Sequence, residues 1–141
     1  MEIIKLEKYH LKEVYDIRFS VTENPVHQHQ IQYLQRAQAL DDIGQGGGWI
    51  CKVGDEFVGY GFGIYIPHPL IGGLFVRPEH QGKSVGTQLL GKITDWFFGN
   101  GNEVIELTTD PNSGAVTFYE KNGWVREGLD EFGQQIMKKH K

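Results

Sequence analysis

Between Leu70 and Phe98 the hydrophobic period of the sequence changes once, and that change limits the folds open to the chain. An apolar run, Leu70-Ile71-Gly72-Gly73-Leu74-Phe75-Val76, lies between Pro69 and Pro78. Apolar runs of this length bounded by turn residues read as buried strands. A polar turn follows, Arg77-Pro78-Glu79-His80, and then Gln81-Gly82-Lys83-Ser84-Val85-Gly86. Beyond it Val85, Leu89, Ile93 and Trp96-Phe97 recur at helical spacing, with Thr87, Gln88, Lys92 and Asp95 between them. The order is strand, glycine-bearing turn, helix. The first amides of a helix have no intrahelical acceptor and carry partial positive charge, so such a turn suits phosphate.

Two familiar phosphate loops fit this turn poorly. A Walker loop ending in Gly82-Lys83-Ser84 needs a glycine five residues before Gly82, where Arg77 stands. A dinucleotide fingerprint needs three spaced glycines, and only Gly82 and Gly86 fall here. An acyl-coenzyme pyrophosphate loop and a plain strand-to-helix turn both stay open.

The rest of the chain supplies the partners of this unit. Glu2 to Leu6 alternates as a short strand. Leu11, Val14, Tyr15, Ile17-Arg18 and Val21 mark a helix that ends before Asn24-Pro25, and His27 to Leu40 reads as a second helix with a thin apolar face. Gly44 to Gly48 reads as a loop. Trp49–Val53 and Phe57–Ile66 are strands joined by a hairpin turn at Gly54-Asp55-Glu56. In the longer strand Gly59, Gly61 and Gly63 share one face, with Val58, Tyr60, Phe62 and Ile64 on the other. A glycine face invites close approach by a helix or a ligand, and helix packing is the favoured reading. Gly99-Asn100-Gly101 stops the central helix, and Val104–Thr109 is a further strand. Asp110-Pro111-Asn112-Ser113 has helix-cap chemistry, with Asn112 as a cap candidate, for a helix that runs to Asn122 and closes on Gly123. Trp124-Val125 starts a short strand, Glu131–Met137 forms a last one, and Lys138–Lys141 reads as a solvated tail. This is an α/β chain with a mixed sheet, expected to form one domain over residues 1–141.

Composition removes several function classes. A formal charge of −4 over 141 residues argues against nucleic-acid binding. The single cysteine, Cys51, lies in an apolar run, so neither a disulfide framework nor a cysteine metal site is expected, and a buried thiol is the favoured reading. No run reaches the roughly 20 apolar residues of a membrane span, and the first residues lack a signal-peptide pattern, so a cytoplasmic protein without membrane contact is expected. His27 and His29, two apart in a Gln-rich segment, make a poor metal chelate, and no metal is expected.

A second motif lies downstream, Asn112-Ser113-Gly114-Ala115-Val116-Thr117-Phe118-Tyr119-Glu120-Lys121-Asn122-Gly123-Trp124. With Gln81 to Gly86 it resembles the paired signature of the GNAT superfamily of N-acetyltransferases, in that family's order. The one departure is Ser84, where the family usually has glycine. The resemblance implies an acyl-coenzyme A N-acyltransferase fold, α/β (α+β), with a mixed, mostly antiparallel sheet of about six to seven strands, about four helices and a V-shaped splay between central strands. Those strands would be Ile71–Val76 and Val104–Thr109, with Gly72-Gly73 opening them by a bulge.

The resemblance also implies the chemistry. Acetyl-CoA would be the co-substrate. The backbone of Leu74, Phe75 and Val76 would pair with its pantetheine arm, and amides of Gln81, Gly82, Lys83, Ser84, Val85 and Gly86 would hold its pyrophosphate. Asn112 and Ala115 would border it. An N–H of the central strand, at Leu74, would stabilise the oxyanion. Tyr119 would protonate the leaving thiolate, where periodicity alone reads a core aromatic. The general base would be one of Glu23, His27, His29 and His68. His68, just before the central strand, is the residue taken forward. The acceptor would be a primary amine on a small molecule or a peptide, with a homodimer as a possible assembly. A non-catalytic acyl-CoA sensor of the same fold is the alternative.

Overall fold

The computed structural model describes residues 1–22 and 26–141, with Gln32 and Tyr33 described by their backbone alone. Glu2–Lys5 (β1), Gly47–Val53 (β2), Glu56–Tyr65 (β3) and Pro69–Val76 (β4) form an antiparallel meander. Between β1 and β2 come two helices, Leu11–Ser20 (α1) and Arg36–Gly44 (α2). After β4 the long helix Val85–Gly99 (α3) leads to Val104–Thr109 (β5), which lies parallel to β4. The short helix Ala115–Lys121 (α4) and the hairpin Val125–Leu129 (β6) and Gln135–His140 (β7) complete the chain. The sheet is seven-stranded, in the order β1-β2-β3-β4-β5-β7-β6, and β4–β5 is its one parallel junction among the described residues.

The glycine face of β3 is explained by α3. A Cβ on Gly63 would stand 2.3 Å from Cε2 of Phe97, and one on Gly61 would stand 2.9 Å from Cδ1 of Ile93. A Cβ on Gly59 would meet Val85 and Leu89. Real side chains there would push α3 off the sheet, so the glycines let the helix settle directly on the strand. Ile93, Phe97 and Leu90 then join Ile105, Leu107, Val116, Trp124 and Met137 in one core. On the opposite face Tyr60 packs with Leu6, Val14, Ile17, Ile43 and Ile50, beneath α1 and α2. Burying each such side chain fully is worth about 1.5–3 kcal/mol, so helices on both faces hold the sheet. Val58 departs from the expected alternation. A register shift opposite Cys51 and Lys52 makes it a bulge residue, and it packs with Cys51, Val85 and Leu89 on the α3 side.

The structure corrects the sequence reading at several ends. The second helix is split into a 3₁₀ segment, Gln28–Leu34, and α2, which starts only at Arg36. Gly47 and Gly48 are strand, not loop, because both pair with β3. The last strand runs Gln135–His140, not Glu131–Met137, and Lys138–His140 are no tail. They pair with Glu106, Ile105 and Val104 of β5, while the Lys139 ammonium donates to the Asn122 carbonyl at 2.8 Å. Long lysine stems can lie along a sheet with their heads in water, so their charge does not argue against a strand. The cap segment also differs. Helix α4 begins at Ala115 with Gly114 as its N-cap, and Asn112 stays outside, its N–H donating to Asp110 Oδ1 at 2.9 Å.

Candidate functional site

The parallel junction is short. β4 and β5 meet at one register pair, Leu70 with Glu106, and then diverge. The bulge that redirects β4 is Gly72. Phe62 pairs with Gly73 and Gly63 pairs with Ile71, so Gly72 has no partner, and a Cβ on it would stand 2.3 Å from the Phe62 ring. The divergence leaves one edge of β4 open. The Arg77 N–H donates to the Val58 carbonyl at 2.8 Å, which fixes the phase of the β3–β4 ladder. Opposed residues of an antiparallel pair alternate between bonded and non-bonded. Phe75 and Gly73 therefore bond β3, while the N–H and C=O groups of Leu74 and Val76 point into the gap. The Val76 carbonyl accepts from Gln81 Nε2 at 3.0 Å, consistent with that direction.

Two concavities meet along this edge. One, of about 380 Å³, runs from Gln81, Gly82 and Gly86 past Val76, Phe118 and Gly114. The other, of about 330 Å³, lies toward α1 and the β6–β7 turn and is bordered by Arg18, His27, His29, Thr109, Asp130 and Gln134. Leu74, Phe75, Ala115 and Tyr119 line both, so they stand where the two join.

The turn before α3 has the amides of an anion site. Among the described residues none of the N–H groups from Gly82 to Thr87 has a protein acceptor, and the helix's first backbone bond beyond its own residues runs from Gln88 to the Ser84 carbonyl at 3.1 Å. Six consecutive free donors at the end of a 15-residue helix carry about half a positive charge. Gln81 differs from expectation. Its N–H is taken by the Pro78 carbonyl at 3.3 Å and its side chain by Val76, so it braces the turn, and the open run begins at Gly82. Ser84 sits at φ 63°, ψ 10°, in the left-handed region that favours glycine. Its hydroxyl donates to the Lys83 carbonyl at 2.6 Å and does not cap the helix. Lys83 is exposed beside these amides, whereas Val85 buries its side chain in the core.

Tyr119 is 6% exposed, its ring packed edge-on to Phe118 and Trp124 at 5.2 and 5.6 Å. Its hydroxyl has no protein partner among the described residues, and Tyr119 lines both cavities. Burial pushes the phenol well above its ordinary value, so it is protonated throughout the neutral range.

The histidines separate. His68 is exposed, with Nε2 3.1 Å from Glu106 Oε2, and lines neither cavity. It precedes Leu74 by six residues of nearly extended chain, about 20 Å. It clasps the closed end of the V, far from Leu74. His27 and His29 line the second cavity, where His29 stacks on Phe132 at 4.1 Å. His27 Nε2 is buried without a hydrogen-bond partner, 3.8 Å from Asp110 Oδ2. Glu23 lies outside the described residues. Asn112 is exposed and lines neither cavity.

Arg18, Asp130 and Gln134 were not singled out from sequence. Arg18 carried a signal, since it continues the Leu11–Val14 stripe of α1 and is thus a cation on an apolar face. Asp130 and Gln134 reach the cleft only through the β6–β7 hairpin, which no local pattern announces.

Known proteins share this fold. The description of the acetyltransferase (GNAT) family matches residues 11–124. The PaiA N-acetyltransferase of Thermoplasma acidophilum, solved in complex with coenzyme A, superposes with a TM-score of 0.81 at 18% identity, over 99% of this chain and 98% of that one. A Pyrococcus horikoshii protein superposes with a TM-score of 0.73 at 28% identity, over 99% and 98%. An uncharacterized N-acetyltransferase of Methanocaldococcus jannaschii is 33% identical over 52 residues, 36% of this chain and 23% of that protein. The curated relatives are longer, the aligned segments spanning 14% and 23% of their lengths.

Proposed function

This chain belongs to the acetyltransferase (GNAT) family, and on that premise we propose that it moves an acetyl group from acetyl-CoA directly to a primary amine in a ternary complex. One observation carries the reading. The free edge of β4, Gly82 and Gly86 at either end of the open amide run, and Tyr119, whose hydroxyl has no partner among the described residues, border two cavities that share Leu74, Phe75, Ala115 and Tyr119. A coenzyme with a diphosphate, an amide-bearing arm and a thioester needs those groups in that order. The coenzyme A held by the Thermoplasma relative supports the same use here.

The residues fit the coenzyme as follows. Amides 82–87, with Lys83 beside them, take the diphosphate. Leu74 and the Val76 N–H pair with the arm as an added strand would. Bound acetyl-CoA supplies an acyl group on a good leaving group. Leu74 N–H then donates to the carbonyl oxygen as negative charge grows there. The His27 imidazole, which lines the acceptor side of the cleft, takes up through water the proton that the attacking amine must lose; a protonated amine, with a pKa of about 8 to 10.4, has no free electron pair. The new C–N bond forms as the C–S bond breaks, and the Tyr119 hydroxyl gives its proton to the sulfur. Tyr119 regains a proton from solvent and His27 releases one, so the cycle closes.

The test is thiol release from acetyl-CoA over a broad amine panel. Amine-dependent release with the acetylated amine seen by mass spectrometry is the expected result. Tight acetyl-CoA binding with no release on any amine would instead identify a sensor.

A further inference from the structure

We propose that the acceptor amine also carries a carboxylate, and that Arg18 is the residue that receives it. The inference rests on the acetyltransfer reading and names the substrate class of that same cleft. Arg18 is 7% exposed, yet its guanidinium has no acidic partner among the described residues. Its Cζ lies 4.2 Å above the Phe75 ring, which holds the fork over the floor of the acceptor side of the cleft. A buried charge is normally paired, because leaving it unpaired forfeits hydration without compensation.

Among the described residues two acids lie close by, and each has a partner of its own. Asp130 lines the same cavity, but its Oδ1 accepts the N–H groups of Phe132 and Gln134 at 2.8 Å each. Asp42 lines a smaller adjoining hollow that Arg18 also borders. It is bonded to Gln38 at 2.8 Å, and burial pushes its carboxyl up toward the neutral form. With no acceptor among the described residues, the guanidinium donors are open to a ligand. Its planar fork matches a carboxylate in two parallel hydrogen bonds. Arg18 is the one permanently cationic side chain lining that side of the cleft among the described residues, which suits one negative charge better than a phosphate dianion. Because Phe75 follows Leu74 in the strand, a carboxylate on Arg18 lies within a small molecule's length of the reacting carbonyl. That geometry is the geometry of an amino acid or a similarly compact amino-carboxylate.

The experiment compares matched acceptors on the unmodified protein. Amino acids and their carboxamides, which keep the amine but lose the charge, are assayed for kcat/KM in thiol release. A charge-assisted pair lost from a buried arginine corresponds to about tenfold or more in that ratio. The expected result is a preference of about that size for acids, collapsing toward one in Arg18→Gln and only partly restored in Arg18→Lys, which keeps charge without the fork. Equal or better turnover of the amides by the unmodified protein would overturn the proposal and leave acetyltransfer standing. If no amine turns over, calorimetric titration of N-acetylated amino acids against their amides, in the presence of coenzyme A, decides the matter independently. Binding of the acids alone, lost in Arg18→Gln, supports the anion site. Absence of binding, or equal binding of both, overturns it.

Discussion

Replacing Tyr119 by phenylalanine separates its two roles, because the ring and the hydroxyl have different surroundings. The ring is buried between Phe118 and Trp124 at 5.2 and 5.6 Å, and phenylalanine keeps that packing. The hydroxyl makes no protein hydrogen bond among the described residues, so folding loses little with it. The melting temperature is expected to stay within about 2 °C, since one kcal/mol corresponds to roughly 3 °C for 141 residues. Catalysis, by contrast, loses its proton donor. A positioned general acid contributes about 10²- to 10⁴-fold, or roughly 3–5 kcal/mol of barrier. The expected outcome is a kcat lower by about a hundredfold or more, with little change in KM for acetyl-CoA, measured by continuous thiol detection. The rate should also be free of any Tyr119 ionisation at neutral pH, because burial holds the phenol protonated. A kcat within threefold of the parent, with a folded protein, would refute the assignment and return Tyr119 to the core.

Four further outcomes follow from the same geometry. His27→Gln should lower kcat/KM by about a hundredfold while His68→Gln stays within about threefold, read from the same thiol-release assay; the reverse order would restore His68 as the base. Gly63→Ala should cost about 2–3 kcal/mol, seen as a drop of roughly 6–9 °C in melting temperature, because its Cβ would stand 2.3 Å from Phe97. Ser84→Gly should raise the melting temperature by about 3 °C and tighten coenzyme A binding in calorimetry, since it relieves a φ of 63° beside the free amides; weaker binding would show that the serine contributes contacts of its own. Tyr60 and Tyr119 are both raised above the usual value of 10 by burial, so the folded state holds protons that the unfolded chain has lost. Stability is therefore unchanged below pH 10 and falls as pH rises beyond it, by up to about 1.4 kcal/mol per unit for each group, with two of the six tyrosines ionising at 295 nm only on unfolding.

Much of the frame was legible because it is written in local patterns. The apolar run before Arg77, the change to helical period after Val85 and the alternating glycines of β3 each state a backbone preference or a packing need within a few residues of themselves. The bulge at Gly72-Gly73 was expected from the family resemblance, and the structure supplies its reason, since a Cβ on Gly72 would stand 2.3 Å from the Phe62 ring. The cleft's contents were less so. His68 looked near the chemistry because it precedes the central strand, but an extended strand carries it about 20 Å from Leu74. Gln81 belonged to the expected amide run and turned out to spend both its polar groups bracing the turn.

By itself the sequence determined the order of elements and the phosphate-suited turn, because propensity, glycine and period act over short stretches, while the place where the sheet opens was expected from the family resemblance. The tertiary structure alone decided which side chains share the acceptor side. Arg18 comes from α1, His27 from the segment after it, and Asp130 from a hairpin more than a hundred residues later. Their juxtaposition depends on helices packing on both faces of one sheet, and chain-distant contacts of that kind leave no local mark. An arginine on an apolar stripe reads from sequence as an exception. Only the folded chain shows it over Phe75 with no acidic partner among the described residues, at the edge of the strand where the reaction is proposed to occur.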